Sequence, residues 1–268
     1  MNFEDGLVSI IVPVYNAGEY IEETIRMVEG QTYENWELLL VDDCSEDNSR
    51  QIIKDYLAKR RMAEQEKGKN GEEEKKRIRL IEKESNQGAA MARNTGIDAA
   101  RGRYIAFLDA DDIWMSEKLE KEMAFMQEKQ AAFVCTSYEF GDESAKGTGR
   151  IVHVPSSMTY RQALSRTVIF TTTVLLDTAK TGRELIHMPV VKSEDTALWW
   201  KLLRNGFTVY GLDEVLAVYR RPARSLSSNK LEAIKRIWYL YRKQEGLSFL
   251  YSAYNFVFWA FRATVRRI

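Results

Sequence analysis

Apolar and polar positions in the first half of the chain follow two alternating periods. Short runs rich in Val, Ile and Leu at 7–14, 36–41, 78–81 and 104–108 predict strands buried on both faces. Between them, helical spacing predicts helices over 20–29 and 89–100, and a third opened by Ser45 as N-cap ahead of Asp47, Ile52, Ile53 and Tyr56. Strand–helix alternation of this kind predicts an α/β domain with a mostly parallel central sheet flanked by helices. The stretch 59–79 is dense in Lys, Arg, Glu and Gly without an apolar period, which predicts a solvated helix end and loop. Past residue 129 the rhythm loosens. A strand is predicted at 133–140, then a Gly-rich break at 141–149, an irregular stretch to 173, a helix after Ser193 and closing strands over 207–219. The last forty residues read as helical. The organisation expected is a domain over 1–230, with a ligand-binding half at about 1–129 and a second half at about 130–230, followed by a helical appendage at 231–268.

Composition narrows the field. Lysine plus arginine equals aspartate plus glutamate at 39 each, so no global field points to nucleic acid. Cys44 and Cys135 have no metal-ligand spacing and fit a reducing compartment, the cytoplasm by default. The acidic N-terminus runs straight into a strand, unlike a signal peptide, and no apolar run reaches the length of a membrane span.

The candidate chemistry collects at predicted strand ends, where open α/β sheets bind ligands. Tyr104-Ile-Ala-Phe-Leu-Asp-Ala-Asp-Asp112 ends in three carboxylates within four residues. Alternation past the strand end points Asp109 and Asp111 the same way. Such a pair suits a hard divalent cation, Mg²⁺ or Mn²⁺, while Asp112 reads equally as a cap for the following helix. Pro13-Val-Tyr-Asn-Ala-Gly18 lacks the glycines of a dinucleotide fingerprint, which disfavours a Rossmann dehydrogenase; Tyr15 offers a stacking face and Asn16 is a turn residue. Asp42 and Asp43 end the second strand, as a base-reading carboxylate or as a polar turn. Asn86-Gln-Gly-Ala-Ala-Met-Ala-Arg-Asn94 enters a small-residue helix, where Gly88, free N–H groups and Arg93 can face an anion or simply allow tight packing.

Together, Leu7-Val-Ser-Ile-Ile-Val-Pro-Val-Tyr-Asn16, Gln31-Thr-Tyr, Val41-Asp-Asp-Cys-Ser-Glu-Asp-Asn48, Asn86 to Asn94 and Phe107 to Asp112 resemble the family 2 glycosyltransferases of GT-A fold. The resemblance implies an inverting transferase that uses a nucleotide-sugar. It implies Asp111 of an Asp-x-Asp motif on the metal, with Asp109 beside metal and donor, Asp43 on uracil, and Pro13 and Tyr15 framing the base. Asn16, Asn86, Gly88 and Arg93 join the donor set. It further implies a catalytic base in a Glu-Asp pair, matched by Ser193-Glu-Asp-Thr196, with Asp195 as base and Glu194 as neighbour. The residue-level alternative is that Ser193 caps a helix whose first turn holds acids against the macrodipole. Arg220, Arg221 or Arg224, with Ser225 and Ser228, are candidates to close over the diphosphate.

Several features depart from the family pattern. The loop after Tyr219 has no histidine, His153 and His187 match no motif, and Leu198-Trp-Trp-Lys-Leu-Leu203 stands where processive relatives carry Gln-x-x-Arg-Trp. The segment 247–261 is strongly aromatic and is followed by Arg262, Arg266 and Arg267, as in an interfacial helix at the inner face of the cell membrane or a helix packed on protein. With Tyr33-Glu-Asn-Trp36 and Ser225-Leu-Ser-Ser-Asn-Lys230, the chain looks like bacterial enzymes that add single sugars, from UDP-sugars, to a lipid-linked or polysaccharide acceptor. The competing readings are a nucleotidyltransferase and a non-catalytic nucleotide-sugar binding module.

Overall fold

A computed structural model describes residues 3–66, 77–220 and 230–265. Parallel strands β1 (Glu4–Val14), β2 (Trp36–Asp42), β3 (Ile78–Glu82) and β4 (Gly102–Phe107) alternate with helices α1 (Ile21–Glu29), α2 (Ser49–Glu66) and α3 (Ala89–Ala99). Ile10, Ile11, Leu38 to Val41 and Ile105 to Phe107 are fully buried, because helices cover both faces of this part of the sheet. Helix α1 buries Ile21, Thr24, Ile25 and Val28, an i, i+3, i+4, i+7 stripe. Helix α3 lies closer to the sheet than larger residues would allow. A Cβ on Gly96 would sit 2.4 Å from Ile11 Cγ2, so glycine sets that approach.

The second half is built differently. After β5 (Ile113–Trp114) and α4 (Lys118–Glu128) come β6 (Phe133–Gly141), β7 (Gly147–Val152), β8 (Ser157–Met158), α5 (Tyr160–Leu164), β9 (Val174–Asp177), α6 (Thr178–Thr181), α7 (Glu194–Arg204) and β10 (Val209–Arg220). The main strand order is β3-β2-β1-β4-β9-β6-β10-β5. Only the β6–β10 pair is parallel here; β9 runs antiparallel to both β4 and β6, and β5, β7 and β8 pair antiparallel at the margins.

The α/β class and helix-flanked central sheet hold, with three local corrections. The irregular stretch to 173 leads into β9, whose four residues are all buried between two strands. The Gly-rich break at 141–149 is the turn of a β6–β7 hairpin. Ser45 does not cap α2, which starts at Ser49; its hydroxyl instead accepts the Asn16 N–H at 3.1 Å.

The C-terminal segment comprises α8 (Lys230–Tyr239), a π-helical turn (Leu240–Gln244) and α9 (Phe249–Val265). Ile237, Leu240 and Tyr241 enter the same core as the sheet, and Tyr241 stacks on Trp200 with centroids 5.2 Å apart. Trp199 is also a core residue, packed on Phe133. Among the described residues, no helix is long and apolar enough to cross a membrane.

Candidate active site

The C-terminal ends of β1, β2 and β4 share one edge of the sheet, with Val14 opposite Asp42 and Ile11 opposite Phe107. Beyond that edge lies a cleft of about 480 Å³ lined by Pro13, Tyr15, Asn16, Asp43, Asn86, Gly88, Arg93, Asp109 and Asp111, among others. Tyr15 is half exposed, so one ring surface is open to a planar ligand.

Asn16 holds the wall of the cleft. Its φ of 51° is left-handed, a conformation Asn tolerates through local hydrogen bonding, and its Oδ1 accepts the N–H groups of Glu46 and Asp47 at 2.8 and 3.3 Å. The Gly18 N–H donates to the Asp47 carboxylate at 2.9 Å and the Ala17 N–H to Ser49 Oγ at 2.8 Å. The β1–α1 turn is thereby stitched to the β2–α2 loop. A Cβ on Gly18 would lie 2.2 Å from Asn48 Oδ1, so a larger residue there would have to displace the Asn48 side chain.

The two aspartates ending β2 have separate surroundings. Asp42 is fully buried, paired with Arg50 and accepting the Ser45 N–H at 3.3 Å, so it serves the turn. Asp43 lines the cleft, and its carboxylate takes Lys83 at 2.5 Å, the Gly88 N–H at 2.6 Å and the Gln87 N–H at 3.1 Å. Lys83 was not singled out by motif; a lysine immediately after β3 was its only sequence signal.

Beyond β4 the three carboxylates diverge in role. Asp109 ion-pairs with Arg93 and donates its N–H to Thr172 Oγ1 at 3.2 Å. Asp112 caps no helix, since α4 begins six residues later. It is buried, accepting the Thr172 hydroxyl at 2.5 Å and the Arg220 N–H at 3.3 Å. Burial, with Asp109 and Asp111 nearby, pushes its carboxyl well above the ordinary range. Asp111 faces the cleft. Among the described residues, no other residue hydrogen-bonds its carboxylate, and burial followed by Asp109 raises its pKa. An under-neutralised carboxylate of this kind fits a divalent cation shared with phosphate oxygens. It does not make an all-protein cage: among the described residues, no group of three or more His, Cys, Asp or Glu is placed to hold a metal.

Glu194 and Asp195 open α7. Ser193 before them has φ 62° and makes no side-chain capping bond, so the simple cap reading fails in its geometry; a residue with a Cβ is strained in the left-handed region. Asp195 accepts the Thr196 N–H at 2.6 Å and lies 3.4 Å from the Thr171 hydroxyl. Burial, and then Glu194, hold its carboxyl above the usual aspartate value.

Two bridges join this pair to the strand-end carboxylates. Arg93, 5% exposed, pairs with Asp109 through one guanidinium nitrogen and with Glu194 at 3.0 Å through another. Burial disfavours its charge, but Asp109 and Glu194 outweigh that and leave its pKa raised. The 3₁₀ turn Thr171–Thr173 is the second bridge, with Thr172 bonding the Asp109 N–H and Asp112, and Thr171 reaching Asp195. The threonine run was visible in the sequence, but hydroxyls in series carry no specific motif.

Arg220 sits outside the cleft lining. It is buried, donating to the Asp111 carbonyl at 2.7 Å and to Glu23 at 2.6 Å, with its guanidinium over the Tyr20 ring. In this arrangement it braces the Asp111 backbone, and its charge is engaged by protein. Arg221, Arg224, Ser225 and Ser228 lie outside the described residues, as do Arg266 and Arg267. His153 and His187 pair with Asp213 and Asp98, away from the cleft lining.

A family model for glycosyl transferase family 2 matches residues 9–186. The chain belongs to that family. Over 263 residues it is 41% identical to a Bacillus subtilis protein named for teichuronic acid biosynthesis, the glycosyltransferase TuaG, covering 98% of each chain. It is 37% identical over 236 residues to WfgD of Escherichia coli, named as a UDP-Glc:α-D-GlcNAc-diphosphoundecaprenol β-1,3-glucosyltransferase, with 88% and 85% covered. The fold is similar to that of Staphylococcus aureus TarS 1–349 in complex with UDP-GlcNAc (TM-score 0.64, 23% identity, 94% of this chain and 70% of that one). It is also similar to the mannosyltransferase PcManGT of Pyrobaculum calidifontis in complex with GDP-Man and Mn²⁺ (TM-score 0.67, 20% identity, 90% and 64% covered). The family 2 chain is thus a glycosyltransferase of GT-A fold. Its matched span stops before Glu194, so the reading of Glu194 and Asp195 leans on geometry and on the motif.

Proposed function

We propose that this glycosyltransferase moves one sugar from a UDP-sugar, with inversion, onto a hydroxyl of a lipid-linked or polysaccharide acceptor in cell-surface glycan synthesis. The observation that carries the reading is the Arg93 bridge, which brings the cleft carboxylates and the Glu194–Asp195 pair into one connected site. The resemblance to TuaG and WfgD supports the surface-glycan role and the diphosphate-lipid class of acceptor.

In this reading Tyr15 stacks the uracil and Pro13 closes its edge, while Asp43, oriented by Lys83, accepts the imide N–H. Asn86 and the amides at Gly88 border the donor. Asp111, with Asp109, holds Mn²⁺ or Mg²⁺, which when bound supplies positive charge to the leaving diphosphate. The acceptor oxygen attacks the anomeric carbon opposite UDP. Asp195 takes the hydroxyl proton as that bond forms, and the bonding pair of the breaking C–O bond leaves with the β-phosphate oxygen. A raised pKa suits Asp195 to this task, since a stronger base accepts the proton more readily. Arg93 keeps Glu194 from competing for that proton. Arg220 positions Asp111 through its carbonyl. An acceptor held by a lipid places the enzyme at the inner face of the cell membrane.

Family membership favours glycosyl over nucleotidyl transfer, and a non-catalytic module would have no use for a strained Ser193 beside Asp195. The test is a panel of UDP-sugars with Mn²⁺ and polyprenyl-diphosphate sugar acceptors, with the product's anomeric configuration read by NMR. Metal-dependent UDP release and a β-linked product from an α-linked donor are expected. Retention of configuration, or no turnover of any nucleotide-sugar, defeats the reading.

A further inference from the structure

Helix α9 turns an apolar face to solvent, while its inner side mixes buried polar residues with Phe256 and Trp259, which pack on the core. A surface helix of a globular protein normally buries its apolar stripe and exposes its polar one. Here Leu250, Tyr254, Val257, Phe258 and Phe261, spaced i, i+4, i+7, i+8, i+11, share the outer face, with Leu250 80% and Phe261 67% exposed. The inner face carries Ser252 and Asn255, 0% and 2% exposed, whose polar groups bond back to Ser248 and Tyr251 within the same segment. Trp259 and Arg262 on the inner side fasten the helix by hydrogen bonds to Thr167 and Ser165. The outward aromatic face is therefore held in place by specific contacts and is not left over from loose docking.

Charge accompanies it. A groove of about 480 Å³ between α5 and α9 is lined by Arg161, Arg166 and Arg262 together with Tyr251, Tyr254 and Phe258, and no acidic residue lines it. Among the described residues, neither Arg161 nor Arg166 has an ion-pair partner. The sequence from 246 to 268 holds three arginines and no acid, in a chain whose charges balance overall. A second copy of the chain fits this face poorly. A two-fold contact sets a patch against itself, so arginine would meet arginine with no carboxylate available.

We infer that α9 lies flat on a membrane, its outer aromatic face among the acyl chains, with Arg161 and Arg166 on the phosphates of anionic lipid headgroups. The helix of 17 residues is about 25 Å long, suited to lying in an interface. Phosphate takes the guanidinium fork in two parallel hydrogen bonds, and aromatic bulk beside arginine matches the headgroup boundary. The inference names the surface that the lipid-linked acceptor of the proposed function would require. It rests on that reading for its purpose only, and its test involves no sugar transfer.

Full-length protein is sedimented with vesicles of phosphatidylglycerol and phosphatidylcholine, and separately with phosphatidylcholine alone. At least tenfold more protein should bind the anionic vesicles, with the excess falling as salt rises. The variant R161E/R166E should lose the anionic preference, and L250S/V257S/F261S should lose binding to both, each keeping the wild-type melting transition and nucleotide-sugar affinity. Equal partition between the two vesicle types, or wild-type binding by both variants, overturns the inference. So does a wild-type dimer that L250S/V257S/F261S makes monomeric without any vesicle binding, since α9 would then be a contact between copies.

Discussion

In the first half, four strands run in one direction and deliver their ends to one edge, whereas in the second half the short antiparallel β9, the threonine turn before it and the start of α7 bring Asp195 near that edge from another direction. The first half holds its ligand-facing residues on loops stitched to each other, as Asn16 is to the β2–α2 loop. None of the described residues of the second half lines the cleft, but that half carries Asp195, the base of the proposed mechanism, on a strained helix start. In the proposed mechanism the difference separates two tasks: binding nucleotide and cation at parallel strand ends, and proton removal from an element fitted against them. Arg93 and the threonine turn are where the tasks meet.

On the donor side the largest effect expected is that of Asp111→Ala. It should abolish the Mn²⁺ dependence of donor binding and weaken it by about 2 kcal/mol, roughly thirtyfold, with turnover falling at least as far; calorimetry with and without metal checks this. Arg93→Met attacks the join instead. It leaves Asp109 and Glu194 without their shared cation, so both donor affinity and turnover should drop, each by about tenfold, and thermal stability by about 1–2 kcal/mol given that both partners are part exposed. A loss confined to one parameter would show that the halves are not coupled there.

A smaller effect sharpens the base assignment. In the proposed mechanism Asp195 works ionised, so activity should fall as pH drops through its raised pKa, above the ordinary aspartate value. Glu194 is one cause of that elevation, and Glu194→Gln removes its charge. The acid limb of kcat/KM should then move to lower pH by less than about one unit; a shift upward or none would detach that limb from Asp195. The smallest effect concerns Ser193. Glycine adopts φ 62° without steric cost, so Ser193→Gly should change stability by less than about 1 kcal/mol, while Ser193→Val should lose about 1–2 kcal/mol in thermal melting.

The same contrast decides what was legible in the sequence. The parallel strands and their terminal motifs are local patterns: Leu38 to Val41 reads as a buried strand wherever it pairs, and Asp109-Ala-Asp111 sits at a strand end by inspection. Strand β9 could not be read that way. Its four buried residues have no alternation, and only pairing with β4 and β6, far away in sequence, makes them a strand. Ser45 looks like a cap because the cap pattern is local, yet its hydroxyl is taken by Asn16 across the fold. Arg220 followed the logic that phosphate needs cations, but its guanidinium is taken by the Asp111 and Glu143 carbonyls and the Glu23 carboxylate, outside the cleft lining. The outward apolar face of α9 was visible only as aromatic density, because nearly every position is apolar and the sequence alone does not choose which side is outside.

The most direct test of the divided site is a calorimetric titration of UDP-sugar, with Mn²⁺, into Asp195→Ala alongside a transfer assay of the same preparation. The division predicts donor affinity within about twofold of wild type while transfer falls by about 10²–10⁴-fold. Donor binding that collapses together with transfer, or transfer that survives, would contradict it.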